Sequence, residues 1–366
     1  PGSIPIFSIS VPKEQRVVKI VLVGVGVRGR QWARVIREEA GAQAVAYVDR
    51  RFPDLNTEGI FVPLGVPCFV GLAAALDATA PDAMVLATPP LVHHEQIMMA
   101  FSRGMHVLAE KPLAEDLAEA LDLVGEAEKS GLQLMVGMNF RYLPAHQAIR
   151  GAIRDGQLGE PSFAQFTYLR HRDGRRADLN DHCLTQEQPM LLEQSIHHLD
   201  LMRYCYDREV VWVQADTWNP SWSVYQDDSN VSALLCFEGG LRANYLGTWT
   251  AAWNEFNFRW RTDCSGGVLV QKAQFDDLYQ ARFSPELALT GERFKLAAEP
   301  LEPVDLEPVE YFVDDTRGLL REFIAALRSG RAVETSAKDH LKTLALTRAC
   351  IEAARTGQRV QMDTFY

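Results

Sequence analysis

The chain has 366 residues, of which 47% are hydrophobic and 23% charged, and a formal net charge of −11. That length favours two domains over one, and the acidic balance argues against a general affinity for nucleic acid or an anionic membrane. Cys68, Cys183, Cys205, Cys236, Cys264 and Cys350 form no CxxC pair, which suits reduced thiols in a cytosol rather than a disulfide framework or zinc site, and no apolar run approaches the ~20 residues of a membrane helix.

Residues 17–23 (VVKIVLV) form a nearly continuous apolar run, as expected of a strand buried on both faces of a parallel sheet. A glycine-rich turn and a helix over 31–39 follow, then strands at 42–48 and 83–88. A helix is predicted at 93–103, a strand at 105–109, an amphipathic helix at 115–129 with Leu117, Leu121 and Val124 on one face, and a strand at 132–137. This alternation predicts a doubly wound parallel sheet. After Asn139 the pattern changes. A helix covers 144–154, a strand 163–169, a polar charge-dense loop 170–189 and a strong helix 190–206. Strand-like segments without intervening helices then run from 210 to 272, including 231–237, 241–248 and 256–261, with a tight turn at Glu238-Gly239-Gly240. A connector at 296–310 leads to closing helices at 316–328 and 337–355. The expected fold is α/β: an N-terminal Rossmann domain (17–139), then an α+β domain (140–366) with a large, mostly antiparallel open sheet, for substrate binding and oligomerisation.

Gly24-Val25-Gly26-Val27-Arg28-Gly29 matches GxGxxG between a buried strand and a helix, the context in which that motif cradles a dinucleotide pyrophosphate on the helix N-terminus. Asp49 ends the next strand about 20 residues on, where an acid accepts hydrogen bonds from ribose hydroxyls and repels a 2′-phosphate. That favours NAD. Arg50 and Arg51 follow at once and suit such a phosphate, so NADP stays open.

Three further segments make the pattern specific: Ala87-Thr88-Pro89-Pro90-Leu91-Val92-His93, Ala109-Glu110-Lys111-Pro112, and the helix Leu192-Glu193-Gln194-Ser195-Ile196-His197-His198-Leu199-Asp200. With the glycine motif and Gly137-Met138-Asn139-Phe140-Arg141, the chain resembles the glucose–fructose oxidoreductase/inositol dehydrogenase/rhizopine catabolism (Gfo/Idh/MocA) family over nearly its whole length. The resemblance implies that Lys111 contacts both nicotinamide and substrate, that the Lys111–Pro112 bond is often cis, and that His197 accepts the substrate hydroxyl proton, assisted by an acid. Here that acid is Glu193, where Asp is usual. It further implies cofactor contacts from Thr88, Pro89, His93, Glu110 and Asn139, and substrate contacts from Asn139 and Arg141.

The residues support part of this independently. Lys111 follows a parallel strand at the sheet's carboxyl edge, where ligands bind, and a lysine there can take or share a hydroxyl proton. Glu193, His197 and Asp200 are spaced i, i+4, i+7 on one helix face, so a carboxylate can orient the imidazole. No metal is expected: His197 and His198 are adjacent and point about 100° apart on a helix, which makes them poor co-ligands. Arg170, Arg172, Arg175 and Arg176 form a cationic cluster before the catalytic helix, read either as an anion clamp through Arg170 and Arg172 or as a solvated loop. Trp218, Trp222, Tyr225, Trp249, Trp253 and Trp260 suit sheet core and interface better than sugar stacking.

The expected activity is oxidation of a ring hydroxyl of a sugar, cyclitol or related polyol by an NAD(P)-dependent dehydrogenase, cytoplasmic and homo-oligomeric (dimer or tetramer). The rival reading is an NAD-dependent glycosidase that oxidises, eliminates, hydrates and reduces a glycoside, with anionic glycosides worth testing.

Overall fold

The computed structural model describes residues 17–172, 181–252, 255–283 and 300–365, and within them the chain forms two compact units. The first is built on six parallel strands in the order β3-β2-β1-β4-β5-β6. In chain order its elements are β1 (Val18–Val23), α1 (Val27–Glu38), β2 (Ala42–Val48), α2 (Asp54–Thr57), β3 (Cys68–Phe69), α3 (Leu72–Thr79), β4 (Ala83–Leu86), α4 (His93–Phe101), β5 (His106–Ala109), α5 (Leu117–Ser130) and β6 (Leu134–Val136). Ile20, Val21 and Leu22 of β1 and all of β4 are fully buried, as the apolar runs require for strands covered on both faces. The order reverses between β1 and β4, which pair directly, so the glycine loop leaves the sheet at its topological switch point. Helix α1 starts four residues before the expected 31. Its hydrogen-bond ladder opens with the amide of Arg30 donating to Gly26 O at 3.0 Å, so Gly26 is the cap and Gly29 lies in the first turn.

The second unit is built on a nine-stranded sheet in the order β14-β13-β12-β11-β7-β10-β9-β8-β15. Its elements are α6 (Pro144–Arg154), β7 (Pro161–Leu169), α7 (Asp181–Thr185), α8 (Ile196–Tyr206), β8 (Val210–Trp218), β9 (Asn230–Phe237), β10 (Arg242–Thr248), β11 (Asn257–Cys264), β12 (Gly267–Gln271), β13 (Tyr279–Arg282) and β14 (Glu302–Pro303), followed after helix α9 (Asp314–Ser329) by α10 (Ala337–Thr356) and β15 (Val360–Gln361). Neighbouring strands are antiparallel except β7 and β10. One face carries the core, in which Phe166, Tyr168, Leu235, Tyr245 and Trp260 pack with Leu199, Met202 and Leu346 of the helices. The other face leaves Phe163 and Trp218 exposed.

The expected helix over 190–206 is continuous, but its first part, Met190–Ser195, is a π-helical turn before the α-helical Ile196–Tyr206. The chain also crosses between the units more often than a single boundary at 139 allows. Helix α9 (Asp314–Ser329) and the residues after it, from Thr316 to Ala337, belong to the first unit. There the amide of Val136 donates to Thr335 O at 2.8 Å, and Thr335 Oγ1 donates to Val136 O at 2.7 Å.

Candidate active site

At the end of β1, Gly24 has a positive φ of +85°, and a Cβ there would meet Ala87 O at 2.6 Å. A Cβ on Gly29 would lie 1.9 Å from Gly24 O, whereas one on Gly26 would meet nothing within 4 Å. The first and third glycines thus hold the turn together, and the second leaves open space before a helix N-terminus, where a pyrophosphate is stabilised by amides and helix dipole. Val27 beside it is exposed. Asp49 at the end of β2 accepts the Val25 amide on Oδ2 and the Arg51 amide on Oδ1, each at 2.9 Å. A carboxylate offers about four acceptor positions, so it can still receive ribose hydroxyls. Arg50 is exposed, and Arg51 pairs with Glu58 at 2.7 Å.

Several residues expected to touch cofactor are also held by hydrogen bonds within the first unit. Arg28 Nε donates to Glu110 Oε1 at 2.6 Å, Trp32 Nε1 donates to the same oxygen at 2.7 Å, and Arg28 Nη1 reaches Gln31 and Thr316. Glu110 therefore ties the loop after β5 to α1, because a nearly buried carboxylate needs such partners. His93 is fully buried, with Nδ1 3.1 Å from Leu113 O and Nε2 2.9 Å from Thr88 O. It joins the Thr88-Pro89 loop to the loop after Lys111, and burial lowers its pKa. Thr88 Oγ1 donates to Gln96 at 2.8 Å. Lys111 is half-buried directly after β5, and its bond to Pro112 is cis.

Two expected substrate contacts in the second unit are likewise interior. Asn139 Nδ2 donates to Asp315 Oδ2. Arg141 is only 4% exposed and donates to Asp200 at 2.7 and 2.5 Å and to Asp339 at 2.6 Å. Asp200 also accepts from Thr343 Oγ1 at 2.9 Å, and Arg203 completes the cluster with Asp339 at 3.0 Å and Glu209 at 2.7 Å. A cation buried this deeply must be paired. Arg141 and Asp200 thus anchor α8 from within, and the Glu193–His197–Asp200 face is divided between two tasks.

His197 is 8% exposed, and its ring stacks on Phe140 with centroids 4.3 Å apart and planes at 28°. Phe140 in turn meets Phe275 edge-on at 4.9 Å. The sequence signal for Phe140 is an aromatic set between Asn139 and Arg141. His198 points elsewhere, with Nδ1 2.8 Å from Tyr245 Oη and Nε2 3.1 Å from Gln194 Nε2. Burial pushes its pKa down to about 3, so it is neutral. Tyr245 donates to Ser195 Oγ at 2.8 Å, and Tyr168 donates to Gln194 Oε1 at 3.3 Å. The π turn carrying Glu193 is therefore bonded to strands β7 and β10 through Gln194 and Ser195.

Arg170 and Arg172 are both half-buried at the end of β7; Arg175 and Arg176 lie outside the described residues. Tyr225, Trp249 and Trp260 are core residues, Trp218 and Trp222 are exposed, and Trp253 lies outside the described residues. Among the described residues no group of three or more His, Cys, Asp or Glu side chains is arranged to hold a metal ion, and no helix is long and apolar enough to cross a membrane.

A doubly wound sheet with a glycine loop at its switch point and an acid after the second strand is the architecture of a dinucleotide-binding domain. Residues 18–138 match the oxidoreductase family with an NAD-binding Rossmann fold, and residues 146–270 match the GFO/IDH/MocA C-terminal domain. The chain belongs to the Gfo/Idh/MocA oxidoreductase family. It is 28% identical over 351 residues to D-apiose dehydrogenase of Paraburkholderia graminis, covering 94% of this chain and 90% of that one. Inositol 2-dehydrogenase of Rhodococcus jostii is 29% identical over 201 residues, 54% of this chain and 52% of that one. An oxidoreductase from Agrobacterium radiobacter, solved with NAD+, L-tartaric acid and magnesium, shares the fold with a TM-score of 0.83 at 20% identity, over 95% of this chain and 99% of that one.

Proposed function

We propose that the chain is a dehydrogenase that oxidises a hydroxyl-bearing carbon of a sugar, cyclitol or related polyol. The observation that carries this reading is the setting of His197: an imidazole held against Phe140 one turn after Glu193, on a helix anchored from beneath by Arg141 and Asp200. Bound NAD supplies the hydride acceptor. His197 takes the hydroxyl proton, and Glu193 orients the imidazole and stabilises its cationic form. Lys111 stabilises the alkoxide as it forms and poises the nicotinamide. On the cofactor side, the Gly26 opening receives the pyrophosphate and Asp49 the adenosine ribose, which favours NAD over NADP. The names of the relatives, a sugar dehydrogenase and an inositol dehydrogenase, support the substrate class. The reading includes a cytoplasmic homo-oligomer assembled through the open face of the nine-stranded sheet.

Kinetics of Lys111→Ala and His197→Ala test the assignment. Each is expected to lower turnover by roughly 10²-fold or more, the scale of general acid–base catalysis, while His197→Ala keeps the NAD affinity of the parent. Near-normal turnover in either variant removes that residue from the mechanism.

A further inference from the structure

The inward row of β7 reads Ala164, Phe166, Tyr168, all fully buried in the core. Side chains alternate along a strand, and the chain keeps an extended course beyond Leu169: the Arg170 amide donates to Thr248 O at 3.0 Å and the Arg172 amide to Trp249 O at 2.8 Å. Arg170 and Arg172 are both half-buried beyond the strand's end, and their contacts place them. Arg170 Nη1 lies 3.4 Å from Tyr168 Oη, the hydroxyl that reaches Gln194 beside Glu193. The Arg172 guanidinium lies 4.2 Å from the centroid of the buried Trp249 ring, and its carbonyl accepts from Tyr225 Oη at 2.7 Å.

These two cations differ from the other sheltered arginines. Arg28, Arg141 and Arg203 each meet a carboxylate, whereas among the described residues neither Arg170 nor Arg172 forms an ion pair; their side-chain partners are a tyrosine hydroxyl and a tryptophan face. The chain holds 48 acidic residues against 37 lysines and arginines, so carboxylates are not scarce. Two half-buried guanidiniums with no counter-ion among the described residues gain from an anion that meets them. The backbone amides of 170 and 172 are engaged within the sheet, so recognition falls to the side chains. Guanidinium forks match the flat geometry of a carboxylate. Phosphate sites more commonly add a nest of free amides.

We propose that Arg170 and Arg172 form a receptor for a carboxylate on the substrate, next to the turn that carries Glu193, so that the polyol oxidised is a sugar acid. This rests on the dehydrogenase reading for the site's purpose, but not for its detection.

The test uses the full chain saturated with NADH, so that no turnover occurs, and titration calorimetry with three matched pairs: D-gluconate and D-glucitol, D-glucuronate and D-glucose, D-glycerate and glycerol. D-glucose 6-phosphate supplies the phosphate arm. At least one acid is expected to bind about tenfold or more tightly than its neutral partner, the scale of a charge-assisted bidentate contact. Arg170→Gln and Arg172→Gln should each remove most of that preference and together abolish it, leaving neutral ligands and NADH bound as before. Because Arg172 also packs on Trp249, Arg170→Gln is the arm least exposed to misfolding, and retained NADH binding certifies each variant. The proposal is overturned if no pair shows a preference, if the double variant keeps it, or if the phosphate binds more tightly than every carboxylate. Failure to transfer hydride from any polyol would remove the dehydrogenase reading and leave this preference as measured.

Discussion

Gly26 and Gly29 stand three residues apart in one motif, yet their environments assign them different work. A Cβ at Gly29 would collide with Gly24 O, while one at Gly26 would enter open space. Gly29→Ala should therefore disturb the packing of α1 on the sheet and lower the midpoint of denaturant unfolding. Gly26→Ala should fold like the parent and weaken NAD binding by roughly tenfold or more, because its methyl occupies the approach of the pyrophosphate. Calorimetric NAD titration with parallel denaturant melts checks both, and unchanged affinity in Gly26→Ala would clear that position of cofactor contact. At this scale the motif was legible because glycine spacing reports backbone geometry. The partners of polar side chains were not. Glu110, His93, Asn139 and Arg141 all stood in motifs that imply ligand contacts, but their hydrogen bonds run to Arg28, to carbonyls of Thr88 and Leu113, to Asp315, and to Asp200 and Asp339. Most of these partners lie far away in sequence, and one sequence cannot reveal them.

Among the elements, the π turn before α8 is bonded to side chains of the sheet. Tyr245 bonds Ser195 and His198, and Gly247 leaves the room this needs: a Cβ there would lie 2.5 Å from Met190 Cε and 2.6 Å from Tyr245 Oη. Such wide turns recur at functional sites, and here the turn carries Glu193. Tyr245→Phe leaves Ser195 and His198 short of a buried partner, which costs about 1–3 kcal/mol. The expected outcome is a lower unfolding midpoint together with reduced turnover at unchanged NAD affinity; an unaltered turnover would separate the network from catalysis. Periodicity announced this helix but not its first turn, because the apolar spacing of 190–206 is nearly the same for either winding. It was silent over residues 50–82, where α2, β3 and α3 are too short for a periodic signal. The long strands and the helices at 144–154 and 337–355 were legible because each buries a full stripe or face.

For the whole molecule, the buried histidines of the second unit govern acid stability. Desolvation lowers His146 and His340 to about 4 and His198 to about 3, from an ordinary value of 6.5. The folded state therefore binds fewer protons than the unfolded chain below pH 6.5. Stability from these groups is complete above that value and is lost as pH falls from there toward 4, at about 1.4 kcal/mol per pH unit for each histidine involved. Asp339, held down to about 2 by Arg141 and Arg203 against the cost of burial, adds a further loss between its ordinary 3.8 and that value. Denaturant melts from pH 7.5 to 4.5 should show a falling unfolding free energy, and His146→Gln should flatten the slope by about one proton. A pH-independent curve would contradict the neutral buried state. The two-part architecture was legible as a change from alternating to purely strand-like pattern near Asn139. The return of residues 316–337 to the first unit was not, because a helix pattern does not say which sheet it covers.

Net hydride transfer from a polyol carbon to NAD is the reaction proposed for this chain. The direct measurement is incubation of the full chain with saturating NAD and a panel of free sugars, cyclitols and sugar acids, with aryl glycosides under trace NAD alongside, following reduced-nicotinamide absorbance and product together. NADH is expected in proportion to oxidised product from a free polyol, with no aglycone released. Aglycone release under trace NAD with no lasting NADH, or the absence of NADH from every free polyol, would contradict it.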